Sequence, residues 1–140
     1  MTQSIREVMT TDPVTLPGNA TVRQAAQEMD RADIGNVIVL NESNEIGGIV
    51  TDRDIAVRAV AAGLDLDSTK LTDISTSEIQ TLTPNDSVGE AVRLMQKKAI
   101  RRLPVVKGGT PVGIVSLGDL AVTQDPESVL ADISSAPADD

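Results

Sequence analysis

Apolar residues recur at Val22, Ala25, Ala26 and Met29, a spacing of three and four that gives a helix one buried face. Thr21 and Gln24 stand three apart at its start, as a capping box requires. Residues 37–40 then form an apolar run that is β-branched and too short for a helix, so it predicts a strand. Polar turn residues 41–45 separate it from a second strand at 46–50, which completes a hairpin. A second helix begins at Thr51 and stops at Gly63, a residue suited to a helix C-terminus.

The pattern then starts again. Sliding the chain by 66 places residues 5–39 on 71–105, with identical pairs such as Thr15/Thr81, Leu16/Leu82, Val22/Val88, Met29/Met95 and Ile34/Ile100. Ser87 and Glu90 repeat the capping box, and Val88, Ala91, Val92 and Met95 repeat the apolar face. Residues 103–106 and 112–115 repeat the hairpin strands around the turn at 108–111. After a one-residue deletion in that turn, Gly48-Ile49-Val50 falls on Gly113-Ile114-Val115, and Asp54 on Asp119. Each copy predicts β-α-β-β-α, an α+β fold with repeats at 5–63 and 71–123 and a linker at 64–70. Residues 124–140 form an acidic C-terminal tail, in which Asp125-Pro126-Glu127 has the form of a short helix start. A half of roughly 60 residues buries too little surface to stand alone. Packing of the two copies with pseudo-two-fold symmetry would bury more and leave a cleft between them.

Composition narrows the chemistry. The 140 residues include no Cys, His, Phe, Trp or Tyr. That excludes zinc fingers, disulfides, cysteine nucleophiles and Ser-His-Asp triads, and it removes aromatic platforms for stacking bases. The core must be built from Val, Ile, Leu, Ala and Met, with the methionines on helix faces as packing residues. No apolar run is long enough to span a membrane, and the N-terminus does not read as a signal peptide, so a cytoplasmic protein is expected. A net charge of −9 argues against nucleic acid or an anionic membrane as partner. Six of the twelve basic residues nevertheless fall between Arg93 and Lys107, where there is no acid. Such a run is either a solvated helix face or a local site for an anion.

The chemically informative segments are Gly48-Ile49-Val50-Thr51-Asp52-Arg53-Asp54 and Gly113-Ile114-Val115-Ser116-Leu117-Gly118-Asp119. In each, a strand runs into a helix that opens Thr/Ser-x-x-Asp. One reading is structural: the hydroxyl and the carboxylate cap the helix. The other is a ligand site, because a hydroxyl at a helix N-terminus suits a phosphate oxygen and the carboxylate can accept from the vicinal hydroxyls of a ribose. No metal cluster or general base marks an enzyme.

The duplicated pattern resembles the CBS domain family in its tandem form. The resemblance rests on Val8-Met9-Thr10 with Val14-Thr15-Leu16, on residues 100–106, and on both Gly-Ile-Val-Thr/Ser-x-x-Asp segments, together about residues 5–123. It implies tandem CBS domains with clefts for an adenosine-containing ligand such as AMP, ADP, ATP, NAD or S-adenosylmethionine. A regulatory module without catalysis or obligatory cofactor follows, signalling to a separate protein partner. The alternative is a structural or dimerisation protein of the same fold with no nucleotide. By the same resemblance, Asp54 and Asp119 match the ribose-binding aspartate, Thr51 and Ser116 the neighbouring hydroxyl, and Arg101 a phosphate-contacting arginine. Each cleft would be completed by the other repeat's opening strand. That sets Asp54 beside residues 77–81, including Gln80 and Thr81, and Asp119 beside residues 11–15, including Val14 and Thr15. The first repeat has Gly35 where the second has Arg101, with Arg53 as a substitute, so the two clefts are expected to be unequal. Ala56, Val57, Ala59, Val60, Ala61 and Ala62 make the second helix apolar on more than one side, which predicts a homodimer.

Overall fold

A computed structural model describes residues 3–124. The acidic tail from Asp125 onward, with its expected helix start, lies outside the described residues. The chain divides into two compact units: a middle unit of residues 13–79, and a terminal unit that joins the residues up to Asp12 to those from Gln80 onward.

In the middle unit, β2 (Thr15–Pro17), β3 (Asn36–Leu40) and β4 (Ile46–Thr51) form a sheet in that order, β2 parallel and β4 antiparallel to β3. The connection from β2 to β3 is α1 (Val22–Ala32). Its capping box forms as the sequence predicts: Gln24 N–H donates to Thr21 Oγ1 (3.2 Å) and Thr21 N–H to Gln24 Oε1 (2.8 Å). Val22, Ala25 and Met29 bury the apolar face against Val37, Val39 and Val50. The helix ends at Asp33, in the left-handed region at φ 54°.

Beyond β4 the structure departs from the expected continuous α-helix. A single turn, α2 (Asp52–Asp54), passes into a π-helix over Ile55–Val60, with Ala61 N–H donating to Ala56 O at 2.9 Å. Gly63 closes the segment with φ +75°, a conformation that favours glycine. Residues 64–70, read in the sequence as a linker, pack on this unit. Val22 N–H donates to Thr69 O and Arg23 N–H to Leu66 O, both at 3.0 Å, which satisfies two of the donors that a helix start leaves open. Next comes α3 (Leu71–Ile74), whose Leu71 and Ile74 are buried in the same core.

The terminal unit follows the same plan. Its sheet has the order β1 (Thr10–Thr11), β6 (Thr110–Ser116), β5 (Arg102–Lys107), all antiparallel. Leu82 lies beside Val105 in parallel, as Leu16 lies beside Val39 in the other unit. Glu90 N–H donates to Ser87 Oγ (3.1 Å) at the start of α4 (Val88–Lys98), and Val88, Ala91 and Met95 pack on Leu103, Val105 and Val115. A 3-10 turn at Ile5–Glu7 adds Ile5 to this core, and α5 (Leu117–Gln124) adds Leu120.

The repeats and the units therefore do not coincide. Each repeat begins with a helical turn and a short extended segment, and that segment pairs with the last strand of the other repeat. Thr10 stands opposite Ile114, and its repeat counterpart Thr76 stands opposite Ile49. Glycine is needed where the segment crosses. A Cβ on Gly113 would lie 2.6 Å from Met9 Sδ and 2.9 Å from Thr10 O, and one on Gly48 would lie 2.8 Å from Thr76 O. Gly47, by contrast, would meet nothing nearer than 3.4 Å. Gly48→Ala and Gly113→Ala should each lower the urea stability of the full chain by about 1–3 kcal/mol through overpacking against backbone. Gly47→Ala should be close to neutral. Equal effects at all three positions would remove the crossing as the reason for these glycines.

Candidate functional site

The two Thr/Ser-x-x-Asp segments occupy the same place in each unit, where the last strand gives way to helix. In the middle unit, Asp54 N–H donates to Thr51 Oγ1 (3.1 Å) and Thr51 N–H to Asp54 Oδ2 (2.9 Å). In the terminal unit, Asp119 N–H donates to Ser116 Oγ (3.1 Å) and Ser116 N–H to Asp119 Oδ2 (3.0 Å). The capping reading of these residues is thus realised at both positions, with one carboxylate oxygen of each on the strand's last N–H. Both aspartates are only partly exposed, so each box holds a carboxylate at the edge of the core rather than in open solvent.

A backbone contact that the sequence did not reveal fixes the next residue of the site. Leu117 N–H donates to Arg101 O at 2.7 Å, and Asp52 N–H donates to Gly35 O at 3.0 Å. The residue just before β5 or β3 is therefore held at the first turn of the helix. Arg102 also stands opposite Ser116 in the β5–β6 register, so Arg101, Ser116 and Asp119 come together in one unit. Gly35, Thr51 and Asp54 are the matching set in the other. There the charges come from different positions: Asp52 and the exposed Arg53 lie within the capped turn, and Arg58 approaches Asp54 from one turn along the chain. Arg58 Nε lies 3.6 Å from Asp54 Oδ1, and Arg58 Nη1 donates to Ile74 O at 3.4 Å. The side chain of Asp54 is 15% exposed and that of Arg58 is 52%. Sequence reasoning passed over Arg58, although its i+4 spacing from Asp54 was a usable signal. Its counterpart in the second repeat is Thr123.

The remaining candidate residues divide between the units. Val14 and Thr15 belong to the unit of Asp54: Val14 O accepts Ile38 N–H at 3.0 Å, and Thr15 stands opposite Ile38. Gln80 and Thr81 belong to the unit of Asp119, where Thr81 leads into Leu82. Of the expected opening segments, Thr11 lies on β6 opposite Gly113, in the strand that leads to Asp119. The segment lying on the strand that leads to Asp54 is centred on Thr76, just before the expected 77–81.

The sequence matches the CBS domain family over residues 5–60 and 71–124, and the chain belongs to that family as a tandem pair. The CBS domain-containing protein YhcV of Bacillus subtilis is 40% identical over 121 residues, which cover 86% of this chain and 85% of that protein. A crystal structure of Hypoxic Response Protein I with two coordinated zinc ions superposes with a TM-score of 0.78 at 30% identity, over 85% of this chain and 97% of that one. The CBS domain pair of protein MJ0100, solved with 5′-methylthioadenosine and S-adenosyl-L-methionine, has the same fold, with a TM-score of 0.80 at 23% identity over 91% and 100% of the two chains. The zinc ions belong to the former protein. This chain has no His or Cys, and among the described residues no three carboxylates converge on a point.

Because the boxes cap helices, their hydroxyls should matter for folding before any ligand is considered. Thr51→Ala and Ser116→Ala should each destabilise the chain by about 1 kcal/mol, the usual worth of a helix cap. Arg58→Ala should change stability by less than about 0.5 kcal/mol, since a loosely spaced pair with a half-exposed arginine contributes little. Thermal or urea unfolding measures both. A larger loss from Arg58→Ala than from Thr51→Ala would show that the ion pair, not the box, holds the turn.

Proposed function

We propose that this chain is a regulatory module that binds an adenosine-containing ligand through its paired Thr/Ser-x-x-Asp turns and signals to a separate protein. The observation that carries the proposal is the recurrence of one polar constellation at both strand-to-helix junctions of an otherwise apolar core. A hydroxyl, a partly buried carboxylate and, in the terminal unit, an arginine are fixed together there by backbone hydrogen bonds. Capping uses the hydroxyl and the acid, and the terminal unit adds Arg101 at the same turn, where Leu117 N–H donates to its carbonyl. The carboxylate suits the ribose hydroxyls, and Ser116 with Arg101 suits a phosphate. That protein MJ0100 holds such ligands in the same fold supports the reading. The Asp119 site is the tighter of the two for phosphorylated nucleosides, because Asp52 adds an acid at the other turn and Gly35 replaces the arginine. Thr15 on β2 with Val14 before it, and Gln80 and Thr81 just before Leu82, add to the recognition surface. The module has no reaction of its own and no obligatory cofactor, and it acts in the cytoplasm.

Titration calorimetry with AMP, ADP, ATP, NAD and S-adenosylmethionine tests this directly. Asp119→Asn keeps an oxygen for the Ser116 N–H while removing the charge, so it separates ligand binding from capping. It should weaken the favoured ligand about 10- to 100-fold, since a hydrogen bond to a charged group is worth roughly 1.5–3 kcal/mol. Arg101→Ala should weaken AMP more than adenosine. An absence of binding by all five ligands would favour the second reading, a dimerisation protein in which both aspartates serve only as caps. The completed boxes at Asp54 and Asp119 are what commends that alternative.

Both readings call for a homodimer. Val57, Val60 and Leu64 are 50%, 58% and 41% exposed, an apolar surface on one segment of the middle unit. Sedimentation at micromolar concentration should give twice the 14.7 kDa chain mass, and Val57→Glu with Val60→Glu should return the monomer. A monomeric wild type would leave this surface without a partner.

A further inference from the structure

Residues 27–36 and 93–102 are the same stretch in the two repeats: the second half of a helix, its left-handed end and the turn into the next strand. In the first repeat this stretch carries Glu28, Asp30 and Asp33 against Arg31 alone. In the second it carries Arg93, Lys97, Lys98, Arg101 and Arg102 and no acid. Helix stability does not demand this change, because α1 is built without it. Arg31 pairs with Glu28 on α1, whereas the equivalent Lys97 has Leu94 at the matching position. Arg93, Lys97 and Lys98 are all exposed, and among the described residues none forms an ion pair. The one acid on α4, Glu90, is engaged by the capping box with Ser87.

Backbone conformation points the same way. Both helices end in the left-handed region, at Asp33 (φ 54°) and Ala99 (φ 55°). Aspartate tolerates that region far better than alanine does. The second repeat thus keeps a poorer residue at its helix end, and with it a ridge clear of carboxylate.

We propose that the exposed ridge of α4 formed by Arg93, Lys97 and Lys98 docks an acidic, extended segment of a partner protein. Arg93 and Lys97 are one helical turn apart, roughly 6 Å along the axis. Alternate residues of an extended peptide recur every roughly 6.6 Å, so a run with acids at every second position can meet both. A nucleic acid or an anionic membrane presents charge over a far larger area. Either would face the rest of a chain that is strongly acidic despite this ridge, and a short peptide would not. The proposal is independent of the nucleotide reading, because the ridge residues lie outside the ribose-binding set.

The test uses the full chain and a labelled twelve-residue peptide of alternating Glu and Ser, with the Gln-Ser peptide as control. Fluorescence anisotropy at about 50 mM salt should show binding of the Glu peptide that weakens as salt is raised. The triple variant Arg93→Gln, Lys97→Gln, Lys98→Gln should bind it about tenfold more weakly. The charge-matched variant Arg6→Gln, Arg31→Gln, Lys70→Gln should bind as wild type. Ala99→Asp adds one acid to the ridge at a position that favours it, so it should weaken the peptide several-fold without lowering the melting temperature. Equal losses in the two triple variants would reduce the effect to net charge and overturn the proposal. So would tighter binding to a twelve-nucleotide oligothymidylate, or to phosphatidylserine–phosphatidylcholine vesicles, than to the peptide. Calorimetry with AMP on the ridge variant keeps the two proposals apart, since nucleotide affinity should be unchanged whether or not the peptide binds.

Discussion

The crossing of each repeat's opening segment over the other repeat's last strand is the constraint on which the rest of this structure depends. It is possible only because Gly48 and Gly113 present no side chain where Thr76 O and Thr10 O pass. The crossing places α3 in the middle unit and the Ile5–Glu7 turn in the terminal unit, and each contributes core residues beneath the other repeat's hairpin. It lies on the strands that lead into the junctions, where the geometry of Thr51–Asp54 is repeated at Ser116–Asp119. Site and scaffold are therefore the same construction seen at two scales.

At those junctions the hydroxyl and carboxylate satisfy helix donors that would otherwise be left open. Under the proposed function the same groups would also receive a diol and an anion. A box that must form for the helix to start would then fix the carboxylate in position during folding rather than on binding. The two junctions differ in charge through residues outside the box: Asp52 and Arg58 at one, Arg101 at the other. Duplication supplied the geometry twice, and divergence acted on the neighbours.

Most of the secondary structure was legible in the sequence because it is set locally. The capping boxes at Thr21 and Ser87, the apolar spacing from Val22 and Val88, and the short β-branched strands are all within reach of a ten-residue window. The candidate site was legible through the repeat, which singles out Asp54 and Asp119 by their recurrence. What the sequence did not display is non-local. The segment 64–70 gives no sign that its carbonyls receive the first N–H groups of α1, and Leu71 gives none that it is buried with Val37 rather than with Leu103. The π-helix at Ile55–Val60 has the composition of an ordinary helix, and the contact between Arg101 O and Leu117 N–H is a matter of backbone position that no side chain announces.

The exchange also imposes an order on synthesis. Everything the middle unit needs lies between residues 13 and 79, so it is complete once that stretch has left the ribosome. Residues 3–12 are made before the middle unit, but Thr10 and Thr11 pair with β6, which emerges about a hundred residues later. At typical elongation rates of about 5–20 residues per second, that segment waits roughly 5–20 s for its partner strand. During that interval Ile5, Val8 and Met9 have no core to enter. Residues 3–12 are thus the last of the opening segments to find their place, and the two units mature from the middle outward.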